Sequence, residues 1–170
     1  MNITQQRGFT LLEMVLYIGI FAIFIGGITF FLMFAVQARE KSNVVFEVEQ
    51  QGVQLIQLLT ETIRSAEAIN APTTGNAAST LSLNTVDVGK DPTIFDVSDG
   101  VMRIQEGNGG VIALTSPRVV VSQVVFQNAS PSGTLGSVHF EFVLTHINPS
   151  LIETYNYSQR FYGTATLHER

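Results

Sequence analysis

The chain has 170 residues, enough for one domain with an appendage. Its net charge is −5 and its nine Lys and Arg stand singly, which argues against a nucleic-acid partner. It has no cysteine, so disulfides, thiolate metal sites and cysteine nucleophiles are excluded.

The first element is apolar. Residues 14–36, MVLYIGIFAIFIGGITFFLMFAV, carry no charge over 23 positions, and roughly 20 suffice for a helix to cross the hydrocarbon core of a bilayer. The run is apolar all round, as a lipid-embedded helix is, and too long for a buried core helix. A cleaved secretory signal ending at Val36-Gln37-Ala38 fits poorly. The run exceeds the roughly 7–15 residues of a signal h-region, and such a segment has no use for an acid at its start. A plain single-pass anchor accounts for 14–36 but not for Glu13 or for the Arg7-Gly8 before it. A carboxylate costs about 2.5–3.5 kcal/mol at mid-bilayer, less near the interface, and such a residue normally has a partner.

Arg7-Gly8-Phe9-Thr10-Leu11-Leu12-Glu13 resembles the cleavage and methylation signature of type IV pilins and of the pseudopilins of type II secretion. The resemblance implies a membrane-embedded aspartyl peptidase that cuts after Gly8 and methylates the new amino terminus at Phe9. Glycine at the cut lets the enzyme approach the backbone closely. Residues 1–8, MNITQQRG, form the leader on this reading, and 9–36 the transmembrane and later filament-core helix. Glu13 lies only ~6 Å of helix rise from Phe9. Two partners are open to it. One is the positive end of its own helix; the other, which the resemblance favours, is the methylated amine of a neighbouring subunit. The helix by itself does not choose between them. The charges flanking the span, Arg7 on one side and Arg39, Glu40 and Lys41 on the other, do not orient it. The resemblance does: it implies a plasma (inner) membrane protein with a cytoplasmic amino terminus and an extracytoplasmic carboxyl-terminal domain. The partners it implies are the prepilin peptidase and methyltransferase, other pilin or pseudopilin subunits, an inner-membrane assembly platform, and lipid before assembly.

Residues 37–71 predict an amphipathic continuation of the helix into the globular part, stopped by Asn70-Ala71-Pro72. Val45, Val48, Gly52, Leu55, Leu59, Ile63 and Ala66 recur at three and four and form one apolar stripe. Gly26-Gly27 within the span reads equally as a flexible point or as a place of close helix packing. Residues 72–170 predict a β-rich head. Candidate strands are 80–86, 93–97, 101–105, 111–115, 118–127, 137–147 and 154–168, with a hairpin turn at Asp99-Gly100. Val138, Phe140, Phe142 and Leu144 alternate with polar residues as in a half-buried strand. A helix stripe covered by an antiparallel sheet gives an α+β fold. The order of these pieces is similar to that of J-type minor pseudopilins and W-type minor pilins, which implies a minor subunit.

Chemistry is sparse. His139, His146 and His168 lack metal-ligand spacing. Asp87, Asp91, Asp96 and Asp99 are weak calcium candidates without an EF-hand pattern. Gly107, Gly109 and Gly110 precede no helix and cradle no phosphate. Asn128-Ala129-Ser130 and Asn156-Tyr157-Ser158 are formal glycosylation sequons. No nucleophile elbow or carboxylate pair points to an enzyme or a cofactor. The expected role is a structural subunit of a type IV pilus, competence pilus or secretion pseudopilus. The alternative is a membrane-tethered extracytoplasmic binding domain that does not polymerise.

Overall fold

The computed structural model describes residues 10–131, 136–148 and 156–168. The chain divides into two units, Met1–Ser42 and Asn43–Arg170. One helix, α1 (Leu11–Ser65), supplies residues to both.

In the first unit every large apolar side chain of the helix is exposed, from Leu11 and Leu12 through Phe30, Phe31 and Phe34 to Val36. None of the described residues covers them. The segment is long and apolar enough to cross a membrane, by length and composition. The one aliphatic hydroxyl of the uncharged run 14–36, Thr29 Oγ1, donates to the Ile25 carbonyl at 2.9 Å, so it asks nothing of its surroundings. The helix runs unbroken through Gly19, Gly26 and Gly27, whose Cα positions face open space.

In the second unit the same helix becomes one-sided. Val48, Gly52, Leu55, Leu59 and Ile63 are buried, five of the seven positions of the predicted stripe; Val45 is half-buried and Ala66, though buried, belongs to the strand that follows. Among the described residues two antiparallel sheets close over the stripe. The first runs β1 (Ala66–Ala71), β3 (Leu81–Thr85), β4 (Thr93–Ser98), β5 (Val101–Glu106), β6 (Ile112–Ala113) in spatial order. The second runs β2 (Ala77–Ala78), β7 (Val119–Asn128), β8 (Ser137–His146), β9 (Ser158–Thr166). The α+β expectation therefore holds, with two sheets. β8 alternates as predicted: Val138, Phe140, Phe142 and Leu144 are all fully buried. Their core partners include Leu81, Leu83, Phe95, Met102 and Phe126. The β4–β5 hairpin turns at Asp99 (φ 54°) and Gly100 (φ 74°), the two left-handed residues that a tight hairpin of this kind demands. The sheets meet where Val121 N donates to the Gly100 carbonyl at 2.7 Å.

Two elements differ from expectation. The helix ends at Ser65, not at 71, and residues 66–71 form strand β1 against β3. The run AEAIN is adequate helix, but pairing with β3 and burial of Ala66 override that weak local preference. Ser65 Oγ donates to the Thr62 carbonyl and His168 N to the Arg64 carbonyl, so orphan groups of the last turn are satisfied there. The expected strand at 111–115 shrinks to Ile112–Ala113, because Leu114 N turns to the Met102 carbonyl and Thr115 Oγ1 accepts from Met102 N. Strand β7 carries a bulge between Ser122 and Val125, with Gln123 left-handed (φ 50°).

Candidate processing and assembly site

Arg7, Gly8 and Phe9 lie outside the described residues. The described part of the site starts at Thr10, and its local chemistry is a helix cap. Thr10 Oγ1 accepts from Glu13 N at 3.3 Å, and Met14 N reaches the Thr10 carbonyl at 3.2 Å. Thr10-Leu11-Leu12-Glu13 is thus a threonine N-cap followed three residues later by glutamate, the capping-box pattern. It also puts the one acid of this segment in the first turn, where the helix dipole favours negative charge. Periodicity and hydropathy do not show this cap; the T-x-x-E spacing does.

Glu13 is half-buried although the residues around it are exposed. Its carboxylate has a local donor: Tyr17 Oη, one turn on, donates to Glu13 Oε1 at 3.3 Å. So the acid is anchored at its backbone by Thr10 and at one oxygen by Tyr17.

The other sequence candidates fall in the second unit and do not converge. Asp87 Oδ1 accepts from Gly89 N at 2.9 Å, and Asp91 Oδ1 from Thr85 N at 3.2 Å. Asp96 pairs with Arg103 across the β4–β5 hairpin, and Asp99 sits in the turn, where Oδ2 accepts from Ser98 Oγ. Each carboxylate thus has a structural partner, and among the described residues no three His, Asp or Glu come together as metal ligands. His139 Nδ1 lies 3.1 Å from Thr164 Oγ1 on the next strand, while His168 is held at its backbone beside the helix end. Asn128 is buried, and its Nδ2 donates to the Pro72 carbonyl at 2.9 Å, so the first sequon offers no free amide.

One polar cluster was not legible in sequence. Gln51 on α1 grips the loop before β7 with both ends of its amide: Oε1 accepts from Ser116 N at 3.0 Å and Nε2 donates to Ser116 Oγ at 2.6 Å. Glu47, one turn earlier, accepts from Ser116 Oγ at 3.4 Å and from Arg118 Nη1 at 3.5 Å, with His146 Nε2 at 3.9 Å. Tyr157 adds a hydroxyl contact to Glu49 at 3.4 Å. Desolvation, and then the Glu49 charge and hydrogen bond, raise the Tyr157 pKa above its ordinary value. The cluster is a fastening of helix to sheet, with residues 65 positions apart meeting. Gln51→Ala leaves the Ser116 amide without its acceptor and is expected to cost about 1–2 kcal/mol. A drop in the denaturant midpoint with unchanged m-value checks this.

No curated protein and no solved structure matches the chain. Residues 3–29, which take in the residues before Gly8, the cap at Thr10, Glu13 and the first part of the apolar helix, match the prokaryotic N-terminal methylation motif.

Proposed function

We propose that the chain is the precursor of a type IV filament subunit, a minor pilin or pseudopilin of the J or W type. It is made in the plasma membrane with its amino terminus in the cytoplasm, cut after Gly8 by the prepilin peptidase, methylated at Phe9, and assembled through its amino-terminal helix. The methylation-motif match over residues 3–29 carries this reading. It is supported by a helix whose apolar side chains over 11–36 are left uncovered by the described residues. Lipid covers such a helix first and neighbouring helices afterwards, and once the subunit has left the bilayer each Å² of apolar surface kept from water contributes about 25 cal/mol to cohesion of the fibre core. The role is structural, with residues 43–170 as the outward domain and Glu13 as the residue that sets subunit register by pairing with a neighbour's methylated amine.

Mass spectrometry of the amino terminus of the membrane-extracted protein tests it. The expected result is a chain starting at methylated Phe9. A chain starting at Met1 supports a plain tether for the 43–170 domain instead, and one starting at Arg39 a secreted domain.

A further inference from the structure

The apolar span holds five phenylalanines and a single tyrosine, and that tyrosine is the side chain that reaches the only acid of the segment. Tyr17 Oη donates to Glu13 Oε1 at 3.3 Å. The geometry follows from helix stereochemistry, because a long side chain at i+4 leans back toward the amino terminus over residue i. A carboxylate can accept about four hydrogen bonds, so one phenol does not exhaust it. Oε2 has no partner among the described residues. A phenylalanine at 17 offers the same ring and no donor.

We infer that Tyr17 is a positioning residue for Glu13: its phenol holds Oε1 and leaves Oε2 to accept the incoming amine of the neighbouring subunit. This rests on the filament reading above. The physical gain is preorganisation. A glutamate on a bare helix samples several rotamers, and docking must freeze one of them. With Thr10 fixing the backbone of residue 13 and Tyr17 fixing one oxygen, the carboxylate meets its partner already ordered. The same bond gives the acid a donor while the subunit waits in lipid, where an unpartnered carboxylate is costly.

The test uses the full chain in cells that assemble the filament, with each variant in competition with tagged wild-type chain. Incorporation is read as the ratio of the two in sheared filaments, after normalising to cleaved protein in the membrane. Tyr17→Phe keeps the ring and removes the donor; it is expected to fall about tenfold behind wild type, the size of one hydrogen bond between membrane helices. Tyr17→Gln removes the ring and keeps a donor at i+4, and is expected to recover most of that loss. Equal competition by Tyr17→Phe, with Glu13→Val excluded from filaments, overturns the role of Tyr17 and leaves the filament reading standing. Free entry of Glu13→Val overturns the pairing reading itself. A Tyr17→Gln chain as poor as Tyr17→Phe overturns the hydrogen bond in favour of ring packing. Loss of Tyr17→Phe before cleavage also counts against the inference, since the residue then serves insertion.

Discussion

Glu13→Val is expected to insert and be cleaved normally and to be absent from filaments. Insertion cannot suffer, because valine removes a charge that costs about 2.5–3.5 kcal/mol at mid-bilayer. The helix cap survives too. Thr10 Oγ1 accepts from the backbone amide of residue 13, which the substitution keeps. What is lost locally is an acid at the positive end of the helix, worth a few tenths to about 1 kcal/mol, small for a helix of 55 residues. On the proposed filament reading, apolar cohesion between neighbouring helices is preserved or slightly improved. Valine lacks the ability to accept a hydrogen bond and a positive charge from a neighbour, and it also takes away the acceptor that Glu13 Oε1 offers the Tyr17 phenol, a contribution that Tyr17→Phe measures separately. A large assembly defect with intact processing therefore isolates that pairing. The measurement is immunoblotting of sheared filaments beside the mass of the membrane-extracted chain, and wild-type levels of Glu13→Val in filaments would falsify the assignment.

Gly52→Leu is expected to be the most damaging single change in the second unit, at about 3 kcal/mol or more. Gly52 is buried on α1, and a Cβ there falls inside contact distance of three atoms of the Phe161 ring. That ring has little freedom on its other side. It stacks on Phe142 with centroids 5.5 Å apart and an interplanar angle of 22°, and the two residues are paired in the β8–β9 register. Phe142 in turn is fully buried. Gly52→Ala is expected to cost less, because alanine gains about 1 kcal/mol of helix propensity over glycine. Denaturant unfolding of the detergent-solubilised chain, followed by tertiary-structure signals, reads both effects. A Phe161→Ala change in the Gly52→Leu background removes the obstructing ring, so the two costs are expected to be strongly non-additive. Simple additivity would show that the leucine is accommodated elsewhere.

Most of this architecture was open to reading because its signals are periodic. The uncharged run 14–36, the stripe from Val48 to Ile63 and the strict alternation of β8 each repeat often enough to outweigh local noise. The Asp99-Gly100 turn was legible because so few residue pairs tolerate its backbone. The end of the helix was not. Residues 66–71 have no strong preference of their own, and the decision falls to β3, a partner that is not contiguous with them. The division into two sheets is hidden for the same reason, since which strands pair is a long-range property. At the candidate site the seven-residue signature at 7–13 marked Glu13, yet the tyrosine that holds it looked like one more ring in a greasy run. The Gln51–Ser116 fastening was invisible because a glutamine on a helix face carries no mark of the loop it will meet.

The burial pattern of α1 gives the chain two independent sets of obligations along one continuous element. Among the described residues the buried positions of α1 begin at Val48, and the core of the second unit is drawn from its own residues, Val48 to Leu167. Residues 11–42 answer to whatever surrounds them outside this chain, and residues 43–65 to the chain's own sheets. Changes in loops and strands can therefore accumulate without disturbing the surface presented by the first part of the helix.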